Sequence, residues 1–152
     1  MSRPLYETSA DLSHEHNVAL FLQGLWTCKL IKMPIRYHLD YVITKEVDTA
    51  VGFCEIKTRN YSMSAITKMG GYLMSIGKWS SAKQLFDCSG LPFFLVVRTL
   101  DGIWYSKFTD FKPSSVSVRG RTDRGDWQDI EPCVLLDTSL FKQLSSHTSL
   151  RI

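Results

Sequence analysis

Over residues 13–25 the apolar positions fall at helical spacing. Val18, Phe21, Leu22 and Leu25 follow an i, i+3, i+4, i+7 rule and predict one buried stripe, with Ser13 as N-cap and Gly24 near the stop. Beyond it the period changes to two. A first strand is expected over 26–32 and a second over 36–43, where Tyr37, Leu39, Tyr41 and Ile43 share a face. A polar turn over 44–49 leads to a third strand over 50–58. Val51, Phe53, Glu55 and Lys57 lie on one side of that strand, and Gly52, Cys54, Ile56 and Thr58 on the other.

Residues 60–74 have mixed signals. Ile66, Met69 and Leu73 have helical spacing, but Gly70-Gly71 is a poor helix interior, so a loop with one helical turn is expected. A second helix is expected over 76–88, capped by Ser75, striped by Trp79, Ala82, Leu85 and Phe86, and ended by Gly90. The apolar run 91–98 reads as a central buried strand, and Asp101-Gly102 as a hairpin turn into a strand over 103–108. Strands over 115–120 and 130–136 flank a polar turn, and a short closing helix is expected over 139–144. Helix, three strands, helix, then strands make an α+β fold with a mixed sheet.

At 152 residues the chain has the size of a single domain, and its 44% hydrophobic and 22% charged residues exclude a disordered or low-complexity protein. No apolar run approaches the roughly 20 residues of a membrane span, and the N-terminus lacks a signal-peptide pattern, so a cytoplasmic protein with no membrane partner is expected. Cys28, Cys54, Cys88 and Cys133 form no CxxC pair and suit a reducing compartment. His14 and His16 would point to different helix faces, which argues against a shared metal.

Charge becomes informative when placed. Asp40 sits between Leu39 and Tyr41 in an otherwise apolar stretch, and Glu55 and Lys57 project from one face of the third strand. Antiparallel pairing across the polar turn would bring Asp40 close to Glu55. Charges inside a sheet are costly unless paired or bound to a cation. Two gathered carboxylates are typical oxygen ligands of Mg²⁺, and a lysine beside them can orient or help deprotonate an attacking water. Glu15, on the apolar side of the first helix, could complete the site through a metal-bound water or a second metal. An isolated E-x-K on a strand is commonly just a solvated face; the joint order of these residues is what points to chemistry.

That order resembles the PD-(D/E)XK nuclease superfamily, the restriction-endonuclease-like fold. Glu15, Leu39-Asp40 and Glu55-Ile56-Lys57 fall in its αβββαβ core over about 13–108, leaving 109–152 as an extension with a β-hairpin in a single domain. The runs Glu55-Ile56-Lys57-Thr58-Arg59, Ser75-Ile76-Gly77-Lys78-Trp79 and 90–97 also resemble small nuclease-like proteins of bacteriophages. Leu39 departs from the pattern, standing where the motif has proline. The resemblance implies metal ligation by Asp40, Glu55 and the Ile56 carbonyl, Lys57 next to the nucleophilic water, and Glu15 as an accessory acid. Glu7 is a rival for that last role.

Lys68, Lys78 and Lys83 are the only charged residues between Tyr61 and Phe86, directly after the proposed catalytic strand. With Arg59, Arg121 and Arg124 they are the candidates for holding nucleic-acid phosphates, Lys78 first because it falls in the first turn of a helix. Ordinary solvated side chains are the competing reading. Tyr61, Tyr72 and Trp79 could stack on unpaired bases, although core packing is the commoner fate of Trp79.

The expected function is a Mg²⁺-dependent nuclease, with Mn²⁺ as a substitute, that hydrolyses DNA in phage or prokaryotic DNA metabolism, in the host cytoplasm if the protein is of phage origin. RNA stays open as a substrate, and a homodimer is allowed beside a monomer. The alternatives are a catalytically silent nucleic-acid-binding or assembly module on the same fold, and a hydrolase of small phosphoesters. The formal charge of +3 fits the nuclease: residues 1–60 balance at seven basic and seven acidic, and the whole excess (11 − 8) lies after them.

Overall fold

Helix α1 (Ser9–Trp26) starts earlier than Ser13. Thr8 and Asp11 form a capping box, each side chain accepting the other's backbone N–H, at 3.1 and 3.0 Å. This reciprocal satisfaction of two free amides outcompetes the single hydroxyl of Ser13. Gly24 lies inside the helix, which ends at Thr27 in a left-handed conformation. Val18, Ala19 and Leu22 are buried, while Leu25 is exposed. The computed structural model describes residues 8–34, 39–46, 49–108, 115–120 and 130–145.

The strands are β1 (Lys29–Lys32), β2 (Tyr41–Lys45), β3 (Thr49–Thr58), β4 (Tyr72–Ser75), β5 (Phe93–Thr99), β6 (Gly102–Phe108), β7 (Ser115–Gly120), β8 (Ile130–Leu136) and β9 (Lys142–Ser145). A mixed sheet has the order β1-β2-β3-β5-β6-β9, antiparallel except for the β3–β5 pair. A second sheet, β4-β8-β7, is antiparallel throughout. Two further helices, α2 (Met63–Lys68) and α3 (Ile76–Ser89), lie on the path from β3 to β5. The fold is α+β, as the pattern predicts, with the β7–β8 pair in the extension.

The main sheet separates two apolar clusters. On one face α1 contributes Val18, Ala19 and Leu22, which meet Leu30, Tyr41, Ile43, Cys54, Ile56 and Val96. On the other face Leu39, Phe93, Leu95 and Val97 pack with Met63 and Ile66 of α2, Ala82 of α3, and Tyr72, Met74, Val134 and Leu136 of the second sheet. Trp79 packs against this second cluster, the core fate weighed for it.

Other expectations change too. The second strand starts at Tyr41, so Leu39 and Asp40 lie in a bend before it. Period two does not extend through the bend, and Leu39 packs on the face opposite Tyr41 and Ile43. The first strand is shorter than 26–32, because α1 runs through Trp26.

Residues 60–74 hold a strand as well as a helical turn. Gly71, at φ +130, turns the chain tightly into β4, where an added Cβ would stand 2.6 Å from the Leu136 carbonyl oxygen. The closing helix is a 3-10 turn, Thr138–Leu140, followed by β9. Pairing with the open edge of β6 wins over a helix too short to repay its nucleation. The second helix meets its expectation at both ends, with Ser75 as N-cap and Gly90 as left-handed C-cap. No helix among the described residues is long and apolar enough to cross a membrane.

Candidate active site

Period two along β3 sends Cys54 and Ile56 toward α1 and Glu55 to the other face, where the carboxylate is 1% exposed. β2 pairs with β3 through Tyr41 and Cys54, so the residue before Tyr41 arrives beside the Glu55–Ile56 peptide. Asp40 Oδ2 accepts the Ile56 backbone N–H at 2.8 Å. The antiparallel turn therefore brings the two acids together as expected, although Asp40 is held from a bend and not from within a strand.

Two lysines close on Glu55. Lys57 Nζ lies 2.8 Å and Lys78 Nζ 2.9 Å from the same oxygen, Oε1. Lys57 comes from β3 itself. Lys78 comes from the first turn of α3, where the Ser75 hydroxyl accepts its backbone N–H at 3.2 Å. Both ammonium groups engage Oε1, while Oε2 is buried and has neither a hydrogen-bond nor an ion-pair partner. The unengaged Oε2 is the kind of buried acceptor that calls for a cation or a water.

Electrostatics separates the two acids. Burial first, then the Glu55 charge, pushes the Asp40 carboxyl up to about 6, against the opposing pull of Lys57. Burial would also raise Glu55, but Lys57 and Lys78 more than offset it and hold Glu55 below its ordinary value. Burial works to lower Lys57, yet Glu55 and Asp40 win, so its ammonium stays charged well above the ordinary lysine range.

The profile of the family described as "phage putative PDDEXK endonuclease" matches residues 1–144. The chain belongs to this family. No curated protein matches it. Among solved structures it is similar to Hjc, a Holliday junction resolvase of Archaeoglobus fulgidus, at 12% identity and a TM-score of 0.44, over 81% of this chain and 92% of that one.

PD-(D/E)XK nucleases generally use a divalent metal, and the donor set here fits one hydrated hard cation. Asp40 and Glu55 supply carboxylates, the Ile56 carbonyl is adjacent, and Mg²⁺ characteristically keeps several waters. Among the described residues no three His, Cys, Asp or Glu side chains are gathered to hold a metal. Glu15 is the acid left out. It belongs to α1, on the sheet face opposite Glu55, and its carboxylate is paired with Lys32. Lys32 Nζ also stands 3.9 Å from Asp40 Oδ1. The rival Glu7 lies outside the described residues.

The other basic candidates of this family member are placed as follows. Lys78 is a partner of Glu55, a role its helical position alone did not reveal. Arg59 lies over the Tyr72 ring at 5.3 Å. Lys68 is exposed at the end of α2, and Lys83 pairs with Asp87 one helical turn on, at 2.8 Å. Arg121 and Arg124 lie outside the described residues. Tyr61 is exposed, whereas Tyr72 is buried against Phe141 and cannot stack on a base. Lys32 gave no signal in the sequence. Its place depends on the pairing of Lys32 with Tyr41 across an intervening segment whose course no periodicity reveals.

Proposed function

We propose that this protein is a Mg²⁺-dependent endonuclease that hydrolyses DNA phosphodiester bonds, with Asp40, Glu55 and the Ile56 carbonyl holding the metal. The observation that carries the reading is the state of Glu55: a fully buried carboxylate, clasped on one oxygen by two lysines and unengaged on the other, beside a second acid. A purely structural ion pair has no use for such an arrangement, since an apolar replacement would serve stability as well.

A bound Mg²⁺ supplies charge neutralisation on the phosphoryl oxygens and a lowered pKa for a coordinated water. The chain's own residues do the rest. Lys57 enters as an ammonium, so it donates hydrogen bonds that orient the attacking water and the scissile phosphate. Lys78 holds the same Glu55 oxygen from α3 and leaves Oε2 free. The Ile56 amide fixes Asp40 Oδ2 and so aims the carboxylate. Exposed Lys68, at the end of α2, is suited to a flanking phosphate, a contact independent of base identity.

The test is cleavage of end-labelled single-stranded, duplex and branched DNA, and of RNA, with Mg²⁺, with Mn²⁺ and with EDTA. Internal cuts in DNA that need the metal and vanish in Glu55→Ala are expected. An absence of cleavage on every substrate, with binding that survives EDTA and Glu55→Ala, would identify a silent nucleic-acid-binding module instead.

A further inference from the structure

Lys32 closes β1 opposite Tyr41, on the sheet face that α1 covers. Its ammonium is paired with Glu15, stands 3.9 Å from Asp40 Oδ1 and lies 5.1 Å from the centroid of the Tyr41 ring. The Glu15 side chain is 11% exposed, so its charge needs a cation at hand. A second divalent ion bridging Glu15 and Asp40 would need the space that the Lys32 ammonium fills.

The charges agree with this. Glu15, Asp40 and Glu55 are matched by Lys32, Lys57 and Lys78, three against three, so the cluster is neutral before any metal arrives. One Mg²⁺ leaves it at +2, suited to an anionic phosphodiester. A second, beside three retained ammonium groups, would leave +4 around carboxylates that are themselves 1–14% exposed, which carries an electrostatic cost. Asp40 is also divided in a way that suits one ion: Oδ2 takes the Ile56 amide, while Oδ1 keeps its lone pairs and only faces Lys32 from beyond hydrogen-bond reach.

We propose that Lys32 takes the place of a second metal ion. The site binds a single divalent cation, at Asp40 and Glu55, and the Lys32 ammonium is the fixed cation between Asp40 and Glu15. Lys32 is a positioning residue: it pairs with Glu15 and faces Asp40 Oδ1 at 3.9 Å without touching the reacting atoms. The inference rests on the metal-dependent reading above. On its outer side Lys32 borders an open cavity of about 360 Å³ that Glu15, His16 and Gln23 share with Leu12, Leu20 and Leu30, so water reaches the Glu15 side of the ammonium.

The experiment is titration of the full chain with Mn²⁺, counting bound ions by the loss of the free Mn²⁺ electron paramagnetic resonance signal. One ion is expected on the wild type and on Lys32→Arg, two on Lys32→Met, and one again on Lys32→Met/Glu15→Gln. Lys32→Gln is the second variant, with the same expectation as Lys32→Met, should the methionine protein fail to fold. Two ions on the wild type, or one on every folded Lys32 variant, overturn the inference while leaving the metal-dependent reading intact. No bound Mn²⁺ on any of these proteins overturns both.

Discussion

The backbone amide of Ile56 donates to Asp40 Oδ2 at 2.8 Å, so the peptide that follows one acid fixes the other. Asp40 needs such a tether, because it is held from a bend. The bond does not bring its pKa back to the ordinary range; burial and Glu55 dominate.

The Asp40 carboxyl sits near 6 in the folded metal-free protein, against an ordinary value of 3.8, so its ionisation costs stability as the pH rises between those values. Asp40→Asn removes the charge and keeps an acceptor for Ile56. It is expected to stabilise the metal-free protein by about 3 kcal/mol above pH 6, and by nothing below about pH 4. Denaturant melts at pH 4 and pH 7.5 check this. The same variant should lose cleavage by at least about 100-fold, so stability and activity move in opposite directions.

A divalent ion binding at Asp40 must displace a proton once the pH falls below about 6. Mn²⁺ affinity is expected to be flat above that pH and to fall roughly tenfold per unit beneath it. Calorimetric titrations from pH 5 to 8 measure the slope. An affinity unchanged over that span would remove Asp40 from the ligand set.

Glu55 is held below its ordinary value by Lys57 and Lys78 together, so it contributes stability above the unfolded value near 4.5 that is lost as pH falls through the folded one. Lys78→Ala should destabilise the protein by about 1–2 kcal/mol at neutral pH, with the difference from wild type vanishing at acid pH. Lys57→Ala should share that signature but also abolish cleavage. Paired melts and single-turnover rates separate the two lysines.

Gly71→Ala places a Cβ 2.6 Å from the Leu136 carbonyl oxygen at φ +130. The β4–β8 pairing must shift, at a cost of at least about 2 kcal/mol. Because β4 runs directly into α3, the site should suffer with the fold. Lower thermal stability and weaker cleavage together are the expected result, whereas Gly77→Ala, inside α3 with nothing within 4 Å of the new Cβ, should keep cleavage and raise stability by up to about 1 kcal/mol.

Much of this was legible in the chain. The stripe of α1, the alternation of β3, the Ser75 and Gly90 caps and the buried run of β5 all follow from local rules, and with them come Glu55, Lys57 and their proximity to Asp40. What escaped depended on contacts distant in sequence. Gly70-Gly71 reads locally as a broken helix, yet Gly71 is required by the approach of β8. Residues 142–145 become a strand only because β6 offers an edge. Leu39 changes face because the bend at Asp40 interrupts the alternation. In the site, Glu15 looked like a third metal-side acid from its helix stripe alone; its partner Lys32 emerges only when β1 is laid against β2.

Ser75 is at once the last residue of β4, paired with Cys133 in the small sheet, and the cap of the helix that carries Lys78. The two lysines on Glu55 therefore answer to different masters: Lys57 is wired into the large sheet, Lys78 into the small one. A chain with the large sheet formed but the small one undocked would hold its acids with one clasp missing. Docking of the small sheet thus supplies half of the counter-charge on Glu55, and the clasp is complete only in the fully assembled fold.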